Sequence, residues 1–182
     1  EFCTQMWTHV NPYTGLRYCD DPAIVLTEIT NECDLFVDGM SRRVDYVEPT
    51  YYTNEFRQMF KAWLEKQGME YDWEHCDLYA PDETMIRFKM EVTEKYYKEM
   101  RDYMRSIGVK VPIAGTNWSK PQPGFAKTHS EMDFCDGHNY FYDWKWGNTE
   151  RICKNRPISG APYVCPGLGR MALAGKPYFI SE

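Results

Sequence analysis

Apolar residues along this chain recur with two spacings. Short β-branched runs alternate with longer stretches in which apolar side chains return every three or four residues. The run from Ala23 to Asn31, Ala-Ile-Val-Leu-Thr-Glu-Ile-Thr-Asn, predicts a strand over 23–31. Further strands are expected at 110–116, 133–141 and 177–181. Phe56, Phe60, Trp63 and Leu64 share one face of a helix that Thr53 or Asn54 would cap and Gly68 would stop. A longer helix opens at Asp82 or Thr84 and ends at Gly108, with Met85, Phe88, Val92, Tyr96, Met100, Tyr103 and Ile107 on one face. Residues 1–22 read as the tail of a helix followed by a loop with turn signals at Pro12 and Gly15. The stretches 34–52, 69–81 and 119–131 read as loops, and 143–175 as loop with one short helix near Gly167–Ala174. Pro112 argues against a central place for the 110–116 strand, because proline donates nothing to a ladder.

Strands separated by helices or long loops predict βα units on a parallel sheet. The expected class is therefore α/β. A chain of 182 residues suffices for one domain with a sizeable core, and no repeat or low-complexity segment divides it.

Composition narrows the partners. The net charge of −6 and the lack of a basic stripe disfavour nucleic acid. The longest apolar runs are of strand length, short of a membrane span. Aromatic residues make up 16% of the chain, including 14 Tyr and 6 Trp. Rings of this kind line sugar clefts or fill cores. The chain opens on Glu1-Phe2-Cys3 with no Met and no signal peptide, as expected of a processed or excised segment. Seven cysteines form no CxxC, and Cys33 and Cys135 are expected as small buried residues in or beside strands. Cys135 and His138, three apart on a strand, would point to opposite faces, so no metal site and no cofactor is expected.

The chemistry gathers at the predicted strand ends. In a parallel βα array, sites form where the strands finish. Here the endings are Asn31 and Glu32, Asn117 and Trp118, His138 and Tyr140, and finally Glu182. Two glutamates on separate strands suit glycoside hydrolysis, one as proton donor and one as nucleophile or base. Each residue also has a plain structural reading. A strand-end glutamate can simply meet solvent or an arginine, His138 and Tyr140 can be satisfied strand residues, Asn31 a turn residue, and Trp118 a packing residue. Glu28 alternates with Thr30 and Glu32 and is expected in an interior polar layer, apart from catalysis.

These endings carry a family resemblance. Almost the whole chain resembles the second half of a retaining (β/α)8 glycoside hydrolase of clan A, closest to family 5-like β-mannanases and cellulases. The matching stretches are His9–Leu16, Asp21–Glu32, Gly108–Trp118, Asp133–Tyr140 and Gly175–Glu182. The resemblance implies a partial TIM barrel, incomplete at both ends and covering the fourth to seventh strands, with residues 1–182 one fragment of that barrel. It implies Glu32 as acid/base, Glu182 as nucleophile, Asn31 on the sugar 2-hydroxyl, Tyr140 hydrogen-bonded to the nucleophile and His138 on substrate. Beside these roles, Trp118 is a candidate sugar platform, Asn117 a candidate substrate-binding or supporting residue, and His9 and Tyr13 candidates for the cleft rim. Cys33 stands where near relatives carry Asn or Pro. The partner implied is a β-linked polysaccharide or oligosaccharide, and the family allows secretion.

A complete barrel takes about 250 residues. The isolated piece is accordingly expected to be inactive. The alternative from another class is a non-catalytic carbohydrate-binding barrel relative. A metal-dependent hydrolase is a third reading, for which His9, His75, His129 and His138 lack ligand spacing.

Overall fold

Thr27 is where the apolar run from Ala23 enters a sheet, because its N–H meets the Pro112 carbonyl at 3.0 Å. The computed structural model describes residues 1–33, 35–36, 51–78, 82–117, 123–138 and 173–181. Strand β1 spans Thr27–Thr30 and pairs in parallel with β2, Ile113–Thr116. Thr27 lies beside Ile113, and Thr30 beside Thr116. A second parallel ladder joins β3, Cys135–Gly137, to β4, Tyr178–Ile180. Two backbone bonds tie the ladders together, Asp133 N–H to the Ile113 carbonyl at 3.0 Å and His138 N–H to the Asn117 carbonyl at 2.9 Å. The strands therefore run side by side, in chain order and in one direction.

Helices occupy the connections. Helix α1 is Phe2–Thr8, and a 3-10 turn follows at Tyr18–Asp20. Between β1 and β2 come α2, Tyr51–Gln67, and α3, Glu83–Ser106. Between β2 and β3 lies α4, Pro123–His129. The fold is α/β, with short parallel strands and helices between them, as the alternating pattern predicts.

Several local expectations change. Pro112 does not exclude a central strand: it sits just before β2, so its missing N–H is outside the ladder and its carbonyl still accepts from Thr27. Helix α2 begins at Tyr51, ahead of the expected cap, and Thr53 is buried within its first turn. Helix α4 occupies what reads as loop. Its Pro-Gly opening resembles a turn, yet proline suits a first helical position, where no N–H is needed. The short helix expected near Gly167–Ala174 lies largely outside the described residues.

The helix stops behave as read. Gly68 and Gly108 both have positive φ, +65° and +103°, which glycine adopts without steric cost. Asp82 caps α3 by accepting from Met85 N–H at 3.0 Å. Phe60, Trp63 and Leu64 of α2 pack with Met85 and Phe88 of α3. Farther along α3 the buried stripe runs through Thr93, Tyr97 and Met104, whereas the expected Tyr96 and Tyr103 are 42% and 39% exposed. The reason lies in β2. Gly115 leaves room for the Tyr97 ring, and a Cβ there would sit 2.7 Å from it. That fit turns Tyr97, one position later, toward the sheet.

A second cluster joins Trp7, Cys19, Met104, Val109 and Ile113, so α1 and the 3-10 turn close the entry end of the strands. Arg105 locks this end. It donates to the Val109 and Val111 carbonyls, each at 2.8 Å, and pairs with Asp133 at 2.6 Å. Asp133 also accepts the Ile113 N–H at 2.8 Å.

Candidate functional site

The parallel register carries the residue after each strand to one end of the sheet. Thr30 is level with Thr116, so Asn31 and Asn117 emerge together. Gly137 is level with Ile180, so His138 emerges beside Ser181. The backbone bond from His138 to Asn117 brings the two ladders' endings into one row.

Asn117, buried at the centre of that row, organises its neighbours. Its Nδ2 donates to Glu28 Oε1 at 2.8 Å and to Asn31 Oδ1 at 2.7 Å. Its Oδ1 accepts the Glu32 N–H at 2.8 Å. The hydroxyls of the last ladder pair continue the grip. Thr116 Oγ1 accepts the Cys33 N–H at 3.3 Å, while Thr30 Oγ1 donates to the carbonyls of Cys33 and Gly115.

This grip holds an unusual turn. Glu32 has φ of +46°, a left-handed conformation uncommon outside glycine. Such residues persist where their surroundings over-determine them, often at functional sites. Strand alternation therefore does not continue through Glu32. Its side chain is placed by the turn and meets His138, with Nδ1 and Oε1 2.7 Å apart. At that distance a proton lies on the bond, held by one partner and accepted by the other. His138 is nearly enclosed, whereas the Glu32 side chain keeps 36% of its surface open.

Two further acids stand behind this pair. Burial raises the pKa of Glu28 above its ordinary value, and the negative charge of Asp136 adds to the shift. Burial likewise raises Asp136, partly offset by hydrogen bonds from the Ser181 side chain and the Gly137 N–H.

The structure thus brings together Asn31, Glu32, Asn117 and His138. His9 and Tyr13 are not brought there. The His9 ring lies tilted against that of Tyr18, centroids 5.5 Å apart, and Tyr18 packs against the cluster that includes Val109 and Ile113 at the entry end of the strands. Tyr13 is 96% exposed in the adjoining turn, whose antiparallel bridge between Val10 and Arg17 directs it outward. Cys33, expected to be buried, is exposed, because the Glu32 turn lifts it off the strand line; Cys135 is buried as expected. Trp118, Tyr140 and Glu182 lie outside the described residues.

Sequence reading passed over Asp136 and set Glu28 aside as structural. A signal for Asp136 was present: it stands two residues before His138 on β3, so strand alternation puts both on one face. The central role of Asn117 had no such signal, since it depends on neighbours 85 or more positions away. Among the described residues, no three His, Cys, Asp or Glu side chains are arranged to hold a metal ion. None of the described helices is long and apolar enough to cross a membrane. No family model, no curated protein and no solved structure matches the chain.

Proposed function

We propose that this chain belongs to a retaining β-glycosidase or endo-β-glycanase acting on a β-linked polysaccharide or oligosaccharide of mannan or glucan type. Its parallel strands would form part of a (β/α)8 barrel. The observation that carries this reading is the half-open Glu32 carboxyl at a strand end, bonded to His138 and held in a left-handed turn by Asn117. A proton donor to a glycosidic oxygen needs that combination of a fixed position, a partner for its proton and access from outside.

In the proposed reaction the Glu182 carboxylate attacks the anomeric carbon while Glu32 gives its proton to the departing oxygen. The glycosidic bond breaks and a glycosyl ester forms on Glu182. Glu32, now ionised, takes a proton from water as that water attacks the ester, which restores both acids and retains configuration. Such a mechanism calls for carboxyl groups about 5–5.5 Å apart. Asn31, beside Glu32, would bind the sugar 2-hydroxyl. Trp118 and Tyr140 keep their expected roles as sugar platform and nucleophile partner.

The test is chemical rescue in the intact polypeptide that carries these residues. Glu32→Ala should cut hydrolysis of unactivated β-glycosides by several orders of magnitude while sparing the first step on aryl glycosides with good leaving groups. Added azide should restore turnover and yield a β-glycosyl azide. Wild-type rates in Glu32→Ala, or no azide product, would refute the acid/base role. Sugar binding without turnover of any β-glycoside would instead support the non-catalytic relative. The 182-residue piece alone is expected to be inactive, and turnover abolished by Glu32→Ala in that piece would contradict this.

A further inference from the structure

Asn117 can hold the Glu32 turn in only one orientation of its amide. The Glu32 N–H can only donate, so Oδ1 must face it, and both Nδ2 protons must then find acceptors. They find Asn31 Oδ1, which is on the exposed rim, and Glu28 Oε1 in the interior. Glu28 therefore supplies the interior anchor of the amide.

The same surroundings act on the Glu28 carboxyl. Its Oε2 is enclosed and has no hydrogen-bond partner among the described residues. Asp136 shares this interior and has better support for a negative charge, from the Gly137 N–H at 2.7 Å and from Ser181. Other groups facing Glu28 are Glu32 beyond its own strand, Asn117 after β2 and His138 after β3. Tyr96 and Tyr97 of α3 lie beyond Thr30, around a separate apolar cavity of about 330 Å³. Partial burial and the neighbouring Asp136 charge both raise the pKa of Glu28.

We infer that Glu28 is the positioning residue of this site: by accepting from Nδ2 it fixes the direction of the Asn117 amide, and through that amide the turn that presents Glu32. Calling Glu32 a proton donor rests on the glycosidase reading; the relay from Glu28 through Asn117 does not.

The experiment compares wild type, Glu28→Gln and Glu28→Ala in the intact chain. It reads hydrogen exchange of the Asn117 side-chain amide by NMR and thermal stability at pH 7 and pH 4. Glu28→Ala should speed Asn117 amide exchange at least tenfold. Glu28→Gln, which keeps an oxygen to accept from Asn117 Nδ2, should restore slow exchange.

The sign of the pH effect is fixed by linkage. A folded-state pKa above the unfolded one gives stability that is complete at low pH and is lost as pH rises through the folded value. Glu28→Gln should therefore melt a few degrees above wild type at pH 7, with the advantage gone near pH 4. Glu28→Gln as damaging as Glu28→Ala, or melting below wild type at pH 7, would overturn the inference, as would unchanged Asn117 exchange in Glu28→Ala. If Glu28→Ala does not fold, the glutamine variant against wild type decides. None of these readouts needs turnover. A protein that passes them yet cleaves no glycoside would refute the glycosidase reading alone.

Discussion

Replacing Asn117 with alanine should loosen the strand-end site without unfolding the sheet. The substitution removes bonds of 2.8, 2.7 and 2.8 Å, to Glu28, to Asn31 and from the Glu32 N–H. A net hydrogen bond is worth about 1 kcal/mol, and a buried group left unpaired costs about 1–3 kcal/mol. Asn31 can turn to water, so its share is small. Glu28 and the Glu32 N–H bear most of the loss, which comes to roughly 2–4 kcal/mol. For a chain of this size that is about 5–15 °C in melting temperature. The Glu32 turn, held at φ +46° against its intrinsic preference, should then relax toward negative φ. A displacement of about 1 Å at a catalytic carboxyl can cost on the order of 100-fold in rate. Urea unfolding followed by tryptophan fluorescence measures the first effect, and kcat on an aryl glycoside the second. Asn117→Asp is a sharper control, since it keeps an acceptor for Glu32 N–H but adds a negative charge beside Glu28. It should be worse than alanine at pH 7 and recover part of the difference at pH 5. A loss below about 0.5 kcal/mol for Asn117→Ala, within the range of ordinary surface substitutions, would refute this role for the amide.

Other parts of the fold give independent tests. Burial lowers the pKa of His129 from 6.5 to about 4, so the unfolded chain takes up a proton that the folded chain refuses. Stability from this histidine is present above the unfolded value and lost as pH falls toward about 4, at about 1.4 kcal/mol per unit or roughly 3 kcal/mol in all. Subtracting the pH–stability curve of His129→Gln from that of wild type should isolate this slope, and parallel curves would contradict it. Gly115→Ala should cost roughly 1–3 kcal/mol by pressing a methyl group into the Tyr97 ring, and Tyr97→Leu should make the alanine nearly neutral in a double-mutant cycle. Arg105→Ala should destabilise by roughly 2–4 kcal/mol in urea melts. Arg105→Lys should be intermediate, because one ammonium cannot reach the Val109 and Val111 carbonyls and Asp133 together.

What could be read from the sequence was local. Gly68, Gly108 and Asp82 mark helix ends through their own backbone preferences and side-chain reach, and α2 and α3 start or stop there. The parallel arrangement follows from helices placed between short apolar runs. The polar residues after the strands were also readable, and three of those endings meet in the structure at Asn31–Glu32, Asn117 and His138. What escaped depends on partners distant in sequence. The turn of α3 at Tyr97 follows from a gap left by Gly115 on another element. The open position of Cys33 follows from a left-handed Glu32 whose turn is held by Asn117 and Thr116, 85 and 83 positions away. His9 and Tyr13 look like rim residues because they are polar, aromatic and loop-borne. Their own segment, through Tyr18 and Cys19, packs at the opposite end of the strands.

The most direct test of the central claim is covalent trapping. The intact polypeptide is incubated with 2-deoxy-2-fluoro β-glucosyl and β-mannosyl donors that carry good leaving groups, digested, and mapped by mass spectrometry. The expected product is one fluoroglycosyl ester, on the peptide containing Glu182, formed with a donor whose parent glycoside is hydrolysed with retention. Label on a different carboxylate, or turnover with inversion and no trapped ester, would contradict it.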